Sequence, residues 1–139
     1  MPKSATSRER QVRCQDRCQA LCCRYLTVQI PAPRRECDLD EVSWLLAHEH
    51  VTIYVASRRW HLEVRTRCKY LTADNLCAIY AQRPQVCRDH RPHECEFPAP
   101  PRHTLEFDQR EDFEAWRAKQ QQQRRAKQRP RATKARAPG

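Results

Sequence analysis

Glycine is all but missing from this chain: its one copy is the last residue, Gly139, so every internal turn must be made by something else. Asn and Asp, which tolerate left-handed backbone, are the ordinary substitutes. Apolar residues are also scarce, 39% hydrophobic with 7% aromatic against 32% charged, so the core must be small. A core of that size barely offsets the entropy of the chain, and small scaffolds usually add disulfides or a structural metal. No apolar run approaches the roughly 20 residues of a membrane span. None follows the polar, basic stretch from Met1 to Arg13 to act as a secretion signal either. A cytoplasmic protein without a membrane partner is expected. No internal repeat is evident, and 139 residues fit one domain, expected as a monomer.

What the chain does have is cysteine, nine copies, four of them inside "CQDRCQALCC" at 14–23. In a reducing compartment so many thiols point to metal ligands or catalysis rather than disulfides. The odd count and the adjacent Cys22 and Cys23 also fit a disulfide framework poorly.

Periodicity gives the organisation. Residues 8–22 are good helix formers without Pro or Gly. "RYLTVQIP" alternates Leu26, Val28 and Ile30 and stops at Pro31, a short strand. Asp38 and Glu41 stand in capping-box spacing ahead of a helix with Val42, Leu45 and Leu46 on one face. "VTIYVASRRWHLEVRTR" reads as two strands about Ser57 to Arg59, with Val51, Ile53, Val55, Trp60, Leu62 and Val64 facing inward. "CKYLTADNLCAIY" reads as a second hairpin turned at Asp74 and Asn75. Pro84 then opens a short helix carrying Cys87. Residues 97–102 are a proline-rich linker, followed by a long helix from about Asp108, anchored by Phe107, Phe113 and Trp116. Beyond Trp116 lie nine Lys or Arg, no acid and four consecutive glutamines, so this tail holds nearly all of the net +10 charge. It is expected to fray into disorder by Pro130. The fold class is therefore α+β: a cysteine-cluster domain over 8–96 with short helices and hairpins, then a linker, helix and basic tail over 97–139.

The cysteine spacing brings the thiols together. On one helix Cys14, Cys18 and Cys22 step round by about 40° each and share a face. Cys23 lies roughly 100° further round and joins them only if the helix ends there. In the hairpin, a two-residue loop puts Cys68 opposite Cys77, and a four-residue loop makes them diagonal neighbours. Either register leaves both on one face with β-carbons about 5–8 Å apart. Cys87 sits near a helix N-terminus, where backbone dipoles favour thiolate, the metal-binding form. Cys95 follows within reach. Thiolate-rich sets select zinc, iron–sulfur clusters or copper(I) over hard cations. Zinc takes four sulfurs in a closed tetrahedron, and a cluster also takes four. The paired CxxC knuckles of a zinc ribbon and the CxxCxxCxxxCP run of bacterial ferredoxins are both missing, so spacing does not select the metal.

"CQDRCQALCC", "CKYLTADNLCAIYAQRPQVCRDH" and "HEC" together resemble the CxxCxxCC family of YkgJ-like cysteine cluster proteins, a zinc- or iron-chelating domain. The resemblance runs over roughly 14–95. It implies metal ligation by Cys14, Cys18, Cys22, Cys23, Cys68, Cys77, Cys87 and Cys95. This chain has three residues, Gln19 to Leu21, where the family's name has two, and it lacks a glycine before the cysteine pair.

Other candidates read as bystanders. Cys37 has no counterpart in the family. His90 and His93 could replace a sulfur but read as solvated loop residues. "HEH" at 48–50 lacks the one-turn spacing of a metalloprotease. Trp44, Trp60 and Tyr80 read as core. Arg83 and Arg88 bracket Cys87, either hydrogen-bonding around a thiolate centre or standing in solvent. The expected function is chelation of zinc or iron, an iron–sulfur cluster included, without assigned catalytic residues. Two alternatives stand beside it: thiol or metal-dependent redox catalysis at Cys22 and Cys23, and a nucleic-acid or acidic partner on the basic residues 117–136.

Overall fold

The computed structural model describes residues 19–89 and 103–130. These build an α+β fold, a four-stranded antiparallel sheet backed by helices. In chain order they are β1 (Leu26–Ile30), α1 (Glu36–Leu46), β2 (Val51–Ala56), β3 (Arg59–Val64), α2 (Gln85–Asp89), β4 (Leu105–Phe107) and α3 (Arg110–Gln128). The strand order is β1-β3-β2-β4. Among the described residues no helix is long and apolar enough to cross a membrane.

The β2–β3 hairpin sets the frame. Ala56 pairs with Arg59, which leaves Ser57 and Arg58 as a two-residue loop, both left-handed at φ 51° and 64°. A two-residue hairpin needs this geometry because its twist matches that of the strands. Most chains place Asn or Gly there; this one forces Ser and Arg into it, at about 1–2 kcal/mol per residue. Val28 lies opposite Leu62, and Leu62 opposite Ile53, so the three share one row across the sheet, fully buried at Ile53 and half-exposed at Val28 on the outer strand β1.

Helix α1 begins earlier than the expected Asp38 cap. Asp38 instead sits at the third helical position, where its Oδ2 accepts the Arg35 backbone N–H at 2.9 Å and the Arg34 N–H at 3.1 Å. The capping carboxylate is therefore Asp38 itself, and Glu41 plays no part in that cap. Leu39, Val42 and Leu46 are buried against Val51, Ile53 and Phe107. Trp44 departs from its expected core role. It points away from that face and is 62% exposed, edge-on to His48.

The C-terminal anchors enter the core itself. Leu105–Phe107 forms a strand that the sequence patterning does not announce, pairing Ile53 with Phe107 and Val55 with Leu105. Phe113 is fully buried, and its ring meets those of Phe107 and Trp116 at 5.4 and 5.7 Å. Polar ties fix the same helix: Arg110 donates to Ser43 Oγ at 2.8 Å, and Thr52 Oγ1 donates to Asp108 at 2.5 Å. Arg117 spans to α1, where it pairs with Glu36 and with Asp40 at 2.9 Å. The helix continues to Gln128 before the chain leaves helical geometry at Arg129.

Candidate metal centre

Cys22, Cys23, Cys68, Cys77 and Cys87 are carried by short or irregular segments; Cys23 lies just ahead of β1 and Cys68 just past β3, at the same end of the sheet. Cys22 is not in the expected α-helix. Gln19 and Ala20 are both left-handed at φ 53°, and Leu21–Cys23 is a single 3-10 turn. Whatever precedes residue 19 lies outside the described residues, so Cys14 and Cys18 do too. The turn takes Cys22 and Cys23 out of α-helical geometry while leaving their side chains in hydrogen-bond contact. Strand β1 starts three residues after Cys23, so the sheet edge fixes where the pair projects.

The Cys68–Cys77 segment is a hairpin reduced to one bridge, Leu71 opposite Cys77. Thr72 N–H donates to Leu76 at 2.8 Å and Asn75 N–H donates back to Thr72 at 3.1 Å, with Asn75 left-handed at φ 61°. That closes a three-residue loop, so neither the two- nor the four-residue register holds. Cys68 lies outside the ladder in a turn of its own, its carbonyl accepting from Leu71 at 3.2 Å. Its N–H donates to the Cys23 carbonyl at 2.8 Å, a direct main-chain link between the first and second cysteine segments.

Cys87 comes from α2, whose first turn closes on Pro84 at 3.0 Å. Its thiol is not favoured as thiolate, against the helix-dipole expectation. Burial pushes it up, and the thiolates of Cys23, Cys68 and Cys77 add to the effect while Arg83 opposes it. A helix of five residues has too few aligned peptides to outweigh that. The same interactions show that Cys87 stands within electrostatic reach of thiols from the two other segments. Cys23 behaves in the opposite way. A hydrogen bond from Cys22 pulls it down to about 6, against the opposing effect of partial burial and with help from Arg24 and Arg83. At neutral pH Cys23 is therefore mostly thiolate.

Four arginines hold this region. Arg24 donates to Gln19 at 3.1 Å and to the Asn75 side chain at 2.7 Å, tying the cysteine pair to the hairpin loop. Arg67 donates to the Leu71 carbonyl at 2.7 Å. Arg83 lies over the Tyr80 ring at 3.9 Å and donates to the carbonyls of Tyr80 and Cys87 at 3.0 and 3.3 Å. Arg88 donates to Arg83 and Ala81, each at 2.9 Å. Arg83 and Arg88 are thus engaged with backbone rather than free in solvent. Arg24 and Arg67 were not singled out by sequence reasoning; their positions next to Cys23 and Cys68 are the signal that marks them.

Among the described residues no three Cys, His, Asp or Glu side chains are grouped closely enough to hold one ion. Cys95, His90 and His93 lie outside the described residues. Cys37 is exposed on α1, where its thiol donates to the neighbouring Asp38 at 3.7 Å. The described thiols are soft donors of the kind a soft metal selects, one of them acidified, with Arg24 and Arg83 as the cations that act on it.

Comparison with known families agrees. The family model CxxCxxCC, described as a "putative zinc- or iron-chelating domain", matches residues 13–124, and the chain belongs to this family. The match takes in β4 and most of α3 as well as the cysteine segments. No curated protein and no solved structure matches the chain.

Proposed function

We propose that this protein is a cytoplasmic metal-chelating protein whose cysteine thiolates hold zinc or iron, the iron either as an ion or within an iron–sulfur cluster. The ligands are Cys14, Cys18, Cys22, Cys23, Cys68, Cys77, Cys87 and Cys95, and eight thiolates divide most simply into two four-sulfur centres. One observation carries the reading: the Cys68 N–H donates to the Cys23 carbonyl at 2.8 Å, joining two cysteine segments, and Cys87 from a third stands within electrostatic reach of both. Uncompensated, four thiolates in one region repel one another; a bound cation turns that repulsion into attraction. Metal binding and folding of the loops are then one process.

The test replaces Cys68, Cys77 or Cys87 by Ser, one at a time, and counts metal per chain after anaerobic purification. Each change is expected to lower the metal content, whereas Cys37→Ser leaves it unchanged. Equal metal in all four variants would refute the assignment.

The hydrogen bond from Cys22 to a largely ionised Cys23 favours a second reading, thiol redox chemistry at this pair. It requires one of these thiols to react with an alkylating agent much faster than the rest while metal stays bound. Uniform protection of both in the loaded protein excludes it.

A further inference from the structure

Helix α3 serves two ends that share no chemistry. Its first half is the anchor described above, ending at Arg117, on which the ion pairs of this helix converge among the described residues. From Gln121 onward every described residue is exposed, and the stretch from Arg117 to Gln128 extends about 16 Å. From Gln121 to its end the helix carries Arg124, Arg125 and Lys127, with Arg129 just past it, and no acid. On the helix the first three fall within an arc of about 160°. None has a carboxylate partner among the described residues, and neighbouring like charges disfavour a helix. The helix dipole accounts for cations in the last turn. It gives no reason for the helix to run on past Gln121, whose amide donates to Glu36 at 3.3 Å and is the last side-chain tie to α1 among the described residues.

We propose that this C-terminal half of α3 is a nucleic-acid-binding surface that grips the phosphate backbone of a duplex through Arg124, Arg125, Lys127 and Arg129. A rod of phosphates supplies the regularly spaced negative charge that this row lacks within its own fold. The segment from Arg117 to Pro130 has no aromatic residue to stack on unpaired bases, which favours a duplex over a single strand. An anionic membrane is a poorer match: Ala118 and Ala126 are the apolar residues of that stretch, too little to insert.

The experiment measures fluorescence anisotropy of a labelled mixed-sequence duplex DNA of about two helical turns, titrated with the full metal-loaded chain between about 50 and 200 mM NaCl. Four phosphate contacts set a log–log salt slope of about −3.6 or steeper, so affinity falls on the order of 100-fold across that range. R124Q/R125Q/K127Q reduces the steepness by about 2.7 with metal content unchanged. The charge-keeping variant R124K/R125K/K127R retains it, which separates lost charge from a damaged helix. Three results overturn the proposal: no binding at the lowest salt, a triple Gln variant with the original slope, or displacement of the DNA by polyglutamate at equal charge concentration. The last would assign the surface to an acidic protein.

Discussion

Replacing Phe113 by Ala tests whether the C-terminal helix is part of the core. Phe113 is fully buried, and its ring contacts Phe107 and Trp116 at 5.4 and 5.7 Å. Truncating a buried Phe costs about 3–5 kcal/mol, the lost transfer energy plus the cavity left behind. Domains of this size are stable by only about 5–15 kcal/mol, so the change removes a large share. In thermal unfolding of the metal-loaded protein the loss lowers Tm by on the order of 10–20 °C. Urea unfolding followed by tryptophan fluorescence is the direct assay, with the midpoint shifted and the slope preserved. Trp44→Ala is the control. At 62% exposed, Trp44 is expected to change stability by no more than about 0.5 kcal/mol. A Phe113→Ala loss under about 1 kcal/mol, or α3 melting in a separate step ahead of the sheet, would refute the docking of this helix.

Arg58→Gly removes the steric penalty of one left-handed residue in the β2–β3 loop and is expected to stabilise by about 1 kcal/mol in the same urea assay; destabilisation contradicts the turn geometry. Arg117→Met removes the pairs to Glu36 and Asp40. Its loss of stability should shrink as salt rises to about 1 M, where the screening length is about 3 Å, while a salt-independent loss would assign Arg117 a packing role. Asp38 and Glu36 are both held below the ordinary carboxylate range, Asp38 by Arg35 and Glu36 by Arg117. Lowered folded values mean that their stabilisation is complete above about pH 4 and is lost as pH falls below it. Asp38→Asn should therefore flatten the acid limb of the stability profile and change little of its shape above pH 5. In metal-free, reduced protein, alkylation mapped by mass spectrometry should modify Cys23 with a midpoint near pH 6 and Cys87 only in the alkaline range. Equal pH profiles would contradict the hydrogen bond between Cys22 and Cys23.

Where side-chain alternation carries the structure, the sequence was readable. Val51, Ile53 and Val55 are buried on β2, Val42 and Leu46 on α1, because a half-buried strand or helix must repeat its apolar residues at its own period. The α+β class follows from those elements. Strand β4 left no such trace: three residues after a proline-rich stretch are too few to show a period, and pairing with β2 makes them a strand. The non-helical backbone just before Cys22 leaves little trace for a related reason. Left-handed turns usually carry Gly or Asn, and here Gln19 and Ala20 adopt them instead. The turn falls at Asn75 as expected, but the loop has three residues, 73–75, one off the four-residue register, and a one-residue slip moves a side chain to the other face. For the candidate centre, the cysteine spacing exposed the donors and the family. It could not show that Cys23 is acidified by its neighbour while Cys87 is not, since both effects come from contacts made only on folding.

Elemental analysis of the anaerobically purified full chain, read together with its visible absorption spectrum, tests the central claim most directly. The account predicts bound zinc in a colourless sample, or iron with the brown absorption and labile sulfide expected if it is held as a cluster, lost when the ligand cysteines are replaced. A cooperatively folded, reduced protein carrying neither zinc nor iron would contradict it.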